Sequence, residues 1–215
     1  MEQDKVFKQT EGNNWFKRNK KALNKKSLKK DIVLKAIDLF NIKPEKVLEL
    51  GCSNGYRLDY LRDKYGCKCT GIDCSKMAIE DGKCRYNRIK LFCGGIDHLD
   101  LKDSDFDLVI VNFVFHWVDR SVLSLALSET DRVLKKEGLL IIGDFFPLSP
   151  VRASYHHIKD KKIYTYKEDY SKMFEKLGCY QNIGRLAAEH DSLEICADVN
   201  YHDRIKIDLL KKYEQ

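Results

Sequence analysis

No run of about 18 apolar residues occurs anywhere in the 215-residue sequence, so no membrane-spanning helix is expected. Proline is scarce, with only Pro44, Pro147 and Pro150. There is no internal repeat and no low-complexity linker, which excludes a solenoid and argues for one domain with at most a modest appendage. No Cys-x-x-Cys pair or histidine cluster at zinc spacing occurs, so no metal is expected. Residues 1–30 lack the apolar core of a secretory leader. The eight cysteines are Cys52, Cys67, Cys69, Cys74, Cys84, Cys93, Cys179 and Cys196. Several sit inside apolar runs, where a reduced thiol acts as a small hydrophobe. Together these features set the expectation of a cytoplasmic protein with reduced thiols.

What is present is a chain able to bury a core, with 43% hydrophobic and 33% charged residues. Its charge is uneven. Residues 1–30 carry ten Lys/Arg and three Asp/Glu, and the rest carries 29 basic against 30 acidic residues. The formal net charge of +6 therefore resides in the N-terminal segment. A neutral body does not resemble a nucleic-acid-binding surface. Within the basic segment, Glu11-Gly-Asn-Asn-Trp-Phe-Lys-Arg-Asn19 is unusual. Two adjacent large aromatics, Trp15 and Phe16, are expected to bury against something. Residues 1–27 thus read as a basic arm or lid, and 28–215 as the main domain.

Apolar spacing predicts an amphipathic helix over 28–41, closed by the segment before Pro44. Short strands are predicted at Lys46–Leu50, Cys69–Asp73, Ile89–Cys93, Phe106–Asn112 and Leu139–Gly143. Helices are predicted at Tyr56–Tyr65, Ser75–Arg85 and Leu123–Leu134. Lys135, Lys136 and Gly138 fit a helix C-terminus. A late helix is predicted over Lys167–Leu177, followed by strand-like runs near 180–187 and 204–210. Lys161 and Lys162 read as solvated surface. The alternation predicts an α/β fold: a doubly wound, Rossmann-like sheet, mostly parallel, with helices on both faces and an antiparallel C-terminal edge.

The most informative residues are Glu49-Leu-Gly-Cys-Ser-Asn-Gly55, where an apolar strand turns into a helix. Gly51 permits a tight turn and close backbone approach to a ligand, and Gly55 frees the start of the helix. A nicotinamide fingerprint would need glycine at 51, 53 and 56, but the chain has Ser53 and Tyr56. A phosphate-cradling Gly-Lys-Ser/Thr is absent. The loop therefore suits a nucleoside ligand without a pyrophosphate. Asp73 closes the second strand, where a carboxylate can accept from both ribose hydroxyls.

These motifs resemble the class I S-adenosylmethionine-dependent methyltransferases, of the type acting on small molecules. Val47–Gly55 resembles the first motif and Gly71-Ile-Asp73 the second. Phe106–Asn112 resembles the fourth strand, and Arg132-Val-Leu-Lys-Lys-Glu-Gly-Leu-Leu-Ile-Ile142 the entry to the fifth. The resemblance covers about residues 30–145 and implies a seven-stranded sheet that binds S-adenosylmethionine and releases S-adenosylhomocysteine. It implies that the backbone of Gly51, Cys52, Ser53 and Gly55 packs on the methionine part. Glu49 would support its amino end, Asp73 would hold the ribose, and Cys74 would lie beside the adenine. Gly95 stands where many relatives carry an adenine-binding Asp, so Asp97 or the backbone N–H of Ile96 takes that role. Asn112 would lie beside the sulfonium. The N-terminal segment more faintly resembles those of methyltransferases from bacterial surface-sugar clusters, which would bring Arg18 to the methionine carboxylate.

For acceptor chemistry, His116 and His156 are the candidate bases, since an imidazole suits proton abstraction near neutrality. Trp117 is expected to pack. The aromatic- and imidazole-rich stretch Asp144–His157 would lie over the cleft, with Arg152, Tyr155 and His157 as candidate acceptor contacts. The expected function is methyl transfer to a small molecule, a sugar or nucleotide-sugar. The alternatives are an RNA methyltransferase using the basic arm, or a cofactor-binding module without turnover. The neutral body and the missing Asn/Asp-Pro-Pro-Tyr/Phe signature count against RNA. The acceptor, the attacked atom and the oligomeric state are not specified by the sequence.

Overall fold

A computed structural model describes residues 2–23, 27–196 and 200–214 of the chain. Seven strands form one sheet: β1 (Lys46–Leu50), β2 (Lys68–Asp73), β3 (Lys90–Cys93), β4 (Phe106–Asn112), β5 (Leu134–Phe145), β8 (Tyr180–Glu189) and β9 (Arg204–Lys212). Their order is β3-β2-β1-β4-β5-β9-β8. The first five run parallel, and β9 lies antiparallel to both β5 and β8. Val47, Leu48 and Leu50 of β1 and Leu108, Val109 and Ile110 of β4 are fully buried. Such burial on both faces is the signature of strands covered by crossover helices. Strand order reverses between β1 and β4, and the crevice beyond their carboxyl ends is where open α/β sheets bind ligands.

Helices α3 (Ile32–Leu39), α4 (Tyr56–Tyr65) and α5 (Lys76–Arg85) contribute to one core layer through residues such as Ile37, Leu58 and Ile79. Helices α6 (Leu123–Val133) and α7 (Ser171–Glu175) contribute Ala126, Val133 and Phe174 to the opposite layer. The helix predicted over 28–41 is divided at Asp31. Its side chain accepts from the amides of Val33 (3.0 Å) and Leu34 (3.1 Å) and so starts α3, while Ser27–Lys30 form a 3₁₀ turn. Ser75 caps α5 in the same way, through Ala78 at 3.1 Å.

Three expectations are corrected. Lys135, Lys136 and Gly138 do not end a helix, because α6 stops at Val133 and β5 begins at Leu134. The register between β4 and β5 shifts there, and Glu137 takes a positive φ of 58°. A Cβ at Gly138 would run 2.8 Å from the Lys135 carbonyl, so this glycine serves the irregular turn within the strand. The late helix shortens to Ser171–Glu175, because 164–167 is strand β7 (Tyr164–Lys167). That strand pairs with β6 (Val151–Ser154) as a separate antiparallel ribbon, and β6 lies in the stretch Asp144–His157 read from sequence as a covering loop.

The N-terminal residues are helical. Helix α1 (Glu2–Val6), a π turn at Phe7–Glu11 and α2 (Gly12–Asn19) follow without a break. The boundary expected near residue 27 adjoins 24–26, which lie outside the described residues. Val6 joins Tyr155 and Ile163 in a small third core, with Phe7, Trp117 and Ile158 packed against it. Gln3 donates to the carbonyls of Trp117 (2.8 Å) and Tyr164 (3.0 Å) and accepts from the Tyr164 amide (2.9 Å). Asn13 accepts from the Ser75 hydroxyl (2.9 Å) and the Met77 amide (3.1 Å) at the start of α5. The segment thus touches both the sheet end and the ribbon.

Candidate functional site

A cavity of about 730 Å³ opens at the carboxyl ends of β1, β2, β4 and β5. Its size suits a small-molecule site, typically about 300–1,000 Å³. One end is built from the turns after β1 and β2. Gly51 has φ 75°, and a Cβ there would collide with the Val114 side chain. The amides of Gly51 and Cys52 both bond to the Ile72 carbonyl, at 2.7 and 3.1 Å. Ser53, with φ 52°, donates its amide to Asp73 Oδ2 at 2.8 Å, and Ser75 donates to Oδ1 at 2.8 Å. Asp73 is therefore fixed in place, with a lone pair left on each oxygen for a further donor. Burial pushes its carboxyl above the ordinary value, against the two amide bonds that lower it.

Glu49 lies beneath this turn, 1% exposed. Burial raises its carboxyl to about 7, although Arg57 opposes the shift. Its Oε1 pairs with Arg57, which also reaches Asp31 (2.9 Å), while Oε2 has no partner. The side-chain oxygens of Ser53 and Asn112 are likewise buried and unpartnered. All three residues line the cavity. Buried polar atoms without partners are uncommon and call for a ligand or water.

The donor set fits a nucleoside carrying an amino acid: a carboxylate for vicinal hydroxyls, an acidic oxygen for an ammonium, and a glycine turn for close approach. Gly95, Ile96 and Asp97 complete this end. Lys8 of the N-terminal segment crosses Gly95, and a Cβ there would strike both Lys8 and Asp97. The Lys8 amino group bonds Asp97 (2.8 and 3.1 Å) and Asp4 (3.1 Å). The glycine at this position leaves the path for that lysine.

The other end is a chamber of rings. Phe113 follows β4 with φ 56°, a strained conformation for an aromatic residue, and its amide bonds the Gly143 carbonyl at 2.7 Å. Its ring makes edge contacts with His116, Phe145 and His190. Trp117 packs on Phe7, Trp15 and Tyr155. Five of the six histidines line the one cavity: His116, His156, His157, His190 and His202. His116 sits in a 3₁₀ turn, Phe115–Trp117, and its Nδ1 lies 2.9 Å from Asp144 Oδ1. Both side chains are 1% exposed. Asp144 also accepts from the Phe145 amide at 2.8 Å, which fixes its plane. With the carboxylate on Nδ1, that nitrogen carries the proton and Nε2 keeps its lone pair.

The sequence candidates divide. Glu49, Gly51, Cys52, Ser53, Asp73, Cys74, Ile96, Asp97, Asn112, His116, Tyr155, His156 and His157 line the cavity. Gly55 stands behind it, at φ 77°, where a Cβ would meet Ile89 and Leu91 at 2.8 and 2.9 Å. Arg18 is not at the cavity wall: it pairs with Glu11 and the Tyr155 hydroxyl (3.1 Å). An acid four residues before the tryptophan in the same segment was the signal for that pairing. Arg152 is exposed and stacks on Tyr164, 4.8 Å from the ring centre. His156 and His157 are exposed at the rim, their rings 3.9 Å apart. Partial burial and the Arg18 charge hold His157 below the ordinary imidazole value. Sequence reasoning assigned no role to Asp144, Lys8, Lys167 or His190. Asp144 had a visible signal, being an acid at the carboxyl end of a buried strand.

Comparison with known proteins agrees with this fold. Residues 48–142 match the family described as "Methyltransferase domain". A malonyl-[acyl-carrier protein] O-methyltransferase of Priestia megaterium is 30% identical over 120 residues, covering 54% of this chain and 43% of that protein. The chain spans under half the length of the curated relatives it matches. Among solved structures, the 1,6-didemethyltoxoflavin-N1-methyltransferase of Burkholderia thailandensis, with bound 1,6-didemethyltoxoflavin and S-adenosylhomocysteine, superposes with TM-score 0.65 at 13% identity. The match covers 83% of this chain and 76% of that one. The N-methyltransferase NodS of Bradyrhizobium japonicum, in complex with S-adenosylhomocysteine, gives 0.62 at 17% identity, with 89% of each chain covered.

Proposed function

We infer that this chain, a class I S-adenosylmethionine-dependent methyltransferase in its fold and in its domain at residues 48–142, methylates a small molecule, a sugar or nucleotide-sugar. The observation that carries this reading is one cavity that joins the Glu49–Asp73 turn to the buried His116–Asp144 pair. The bound cofactor supplies an electrophilic methyl group on a good leaving group. The protein's own work is then positioning and removal of a proton.

Asp73 and the Gly51–Ser53 turn hold the nucleoside end, and Glu49 faces its amino end. His116 accepts a proton at Nε2 from the attacking atom, and Asp144 stabilises the resulting imidazolium. A hydroxyl nucleophile needs such a base. Flat aromatic walls at Phe113, Phe145 and Trp117 suit the face of a sugar ring or a base. The rings also exclude water from the transfer. The curated relatives' named acceptor does not decide this chain's, because the Priestia match reaches 54% of this chain.

Three of the ten cations that the RNA reading would use are paired within the fold. Lys8, Arg18 and Lys20 of the basic segment are engaged by Asp97, Glu11 and Asp81 within the fold.

Methyl-labelled S-adenosylmethionine, offered with a panel of sugars and nucleotide-sugars, tests the proposal. Label should appear in a panel member, and His116→Gln should slow transfer by about 10²–10⁴ while cofactor binding persists. Normal cofactor binding with no labelled sugar across the panel would refute the acceptor class. Full activity in His116→Gln would refute the base.

A further inference from the structure

Of the three lysine and arginine residues that line the cavity, two are already paired. Lys8 is held by Asp97 and Asp4, and Arg57 by Glu49 and Asp31. Lys167, at the end of β7, is different. Among the described residues no carboxylate lies within ion-pair distance of its amino group, which sits 4.2 Å from the centre of the Phe145 ring. His190 stacks on the same ring, with centres 5.3 Å apart and planes at 23°. The Nδ1 of His190 is satisfied by Asp191 at 2.8 Å, which leaves Nε2 as its free nitrogen. His202 lines the same cavity, and so does Asp203, whose carbonyl accepts from the His190 amide at 2.8 Å. Asp191 and Asp203 are the two carboxylates here, one bound to His190 Nδ1, and neither lies within ion-pair distance of the Lys167 ammonium. An unpaired ammonium over an aromatic floor is a setting in which an anion gains a charge-assisted bond with little competition from water.

We propose that Lys167, His190 and His202 form a subsite for an oxyanion, phosphoryl or carboxylate, carried by the methyl acceptor. This rests on the acceptor reading above and narrows it from sugars in general to anionic ones. The geometry also limits the acceptor's span. His116 lies 5.2 Å from the Phe145 ring, centre to centre, and Lys167 lies over that same ring. The anionic group and the atom that is methylated therefore flank one aromatic ring. A compact sugar phosphate or sugar acid satisfies that spacing.

The test is calorimetry on the full chain saturated with S-adenosylhomocysteine. Glucose 1-phosphate, glucuronate and uncharged glucose are titrated in turn at low salt. At least one of the two anions should bind and glucose should not. Lys167→Gln should weaken that binding about tenfold, whereas Lys162→Gln, at an exposed lysine outside the cavity, should leave it unchanged. Binding of the phosphate alone assigns the subsite to phosphoryl groups, and binding of glucuronate alone assigns it to carboxylates. The proposal is overturned if neither anion binds at millimolar concentration while S-adenosylhomocysteine binds normally. It is also overturned if Lys167→Gln or glucose behaves like the wild-type anion complex. Failure of S-adenosylhomocysteine itself to bind would instead overturn the cofactor site on which the proposal stands.

Discussion

Asp73 and Glu49 are both buried acids beside the same turn, yet they answer to different partners. Asp73 is held by two amides and keeps acceptor capacity on each oxygen, which the proposed function gives to the ribose. Asp73→Ala should weaken S-adenosylhomocysteine binding by about 1.5–3 kcal/mol, the usual loss for hydrogen bonds to a charged group. An unchanged titration in a folded variant would remove the ribose assignment. Glu49 titrates near 7 because burial outweighs Arg57. Its folded value lies above the unfolded one, so the native state binds the extra proton. Stability from this group is present below about pH 4.5 and is lost as pH rises through about 7. Urea unfolding of ligand-free wild type and Glu49→Gln should show this. The variant should gain on wild type by a few kcal/mol between about pH 5 and pH 8. A difference that does not change with pH would contradict the raised value.

At the scale of elements, the N-terminal segment is the piece with most leverage. Gly12 allows α2 to approach Cys74, where a Cβ would sit 2.8 Å from the sulfur. Asn13 braces the start of α5, Lys8 covers Gly95, and Gln3 ties α1 to the ribbon. One segment therefore spans the cofactor end and the acceptor end. We expect it to act as a lid, closing both together. A chain beginning at Leu28 should lose cofactor affinity, and proteolysis after Lys20 and Lys21 should slow when S-adenosylhomocysteine is bound. Equal cleavage rates and normal binding by the shortened chain would make the segment a passive appendage. Lys25 and Lys26, further sites for the same protease, lie outside the described residues. Trp15 and Phe16 signalled burial in the sequence, and Phe16 is 1% exposed. The helical course of residues 2–19 was less legible, because its apolar contacts are long-range and its own pattern is polar. The β6–β7 ribbon was missed for a related reason. Its strands are four residues each and flank histidine and lysine runs that read as loop.

At the scale of the whole molecule, the sheet was the most legible feature. Strands β1 and β4 and helix α4 fall on their expected residues, because buried strands and strand–turn–helix junctions carry strong local patterns. The gathering of Glu49, Gly51 and Asp73 at one end of the cavity was readable for the same reason, because they lie at sequence-encoded strand ends. The acceptor end was not. His116 meets Asp144 across 28 residues, and Phe145 meets Lys167 and His190 only once β5, β7 and β8 converge. No local spacing encodes those pairings. In the proposed function, donor and acceptor share this one cavity, with His116 between them. The most direct measurement is a crystal structure of the full chain with S-adenosylhomocysteine. It should show the ribose on Asp73, the amino group toward Glu49, and the sulfur facing the chamber that holds His116. Electron density for the ligand elsewhere, or a sulfur turned away from His116, would contradict that arrangement.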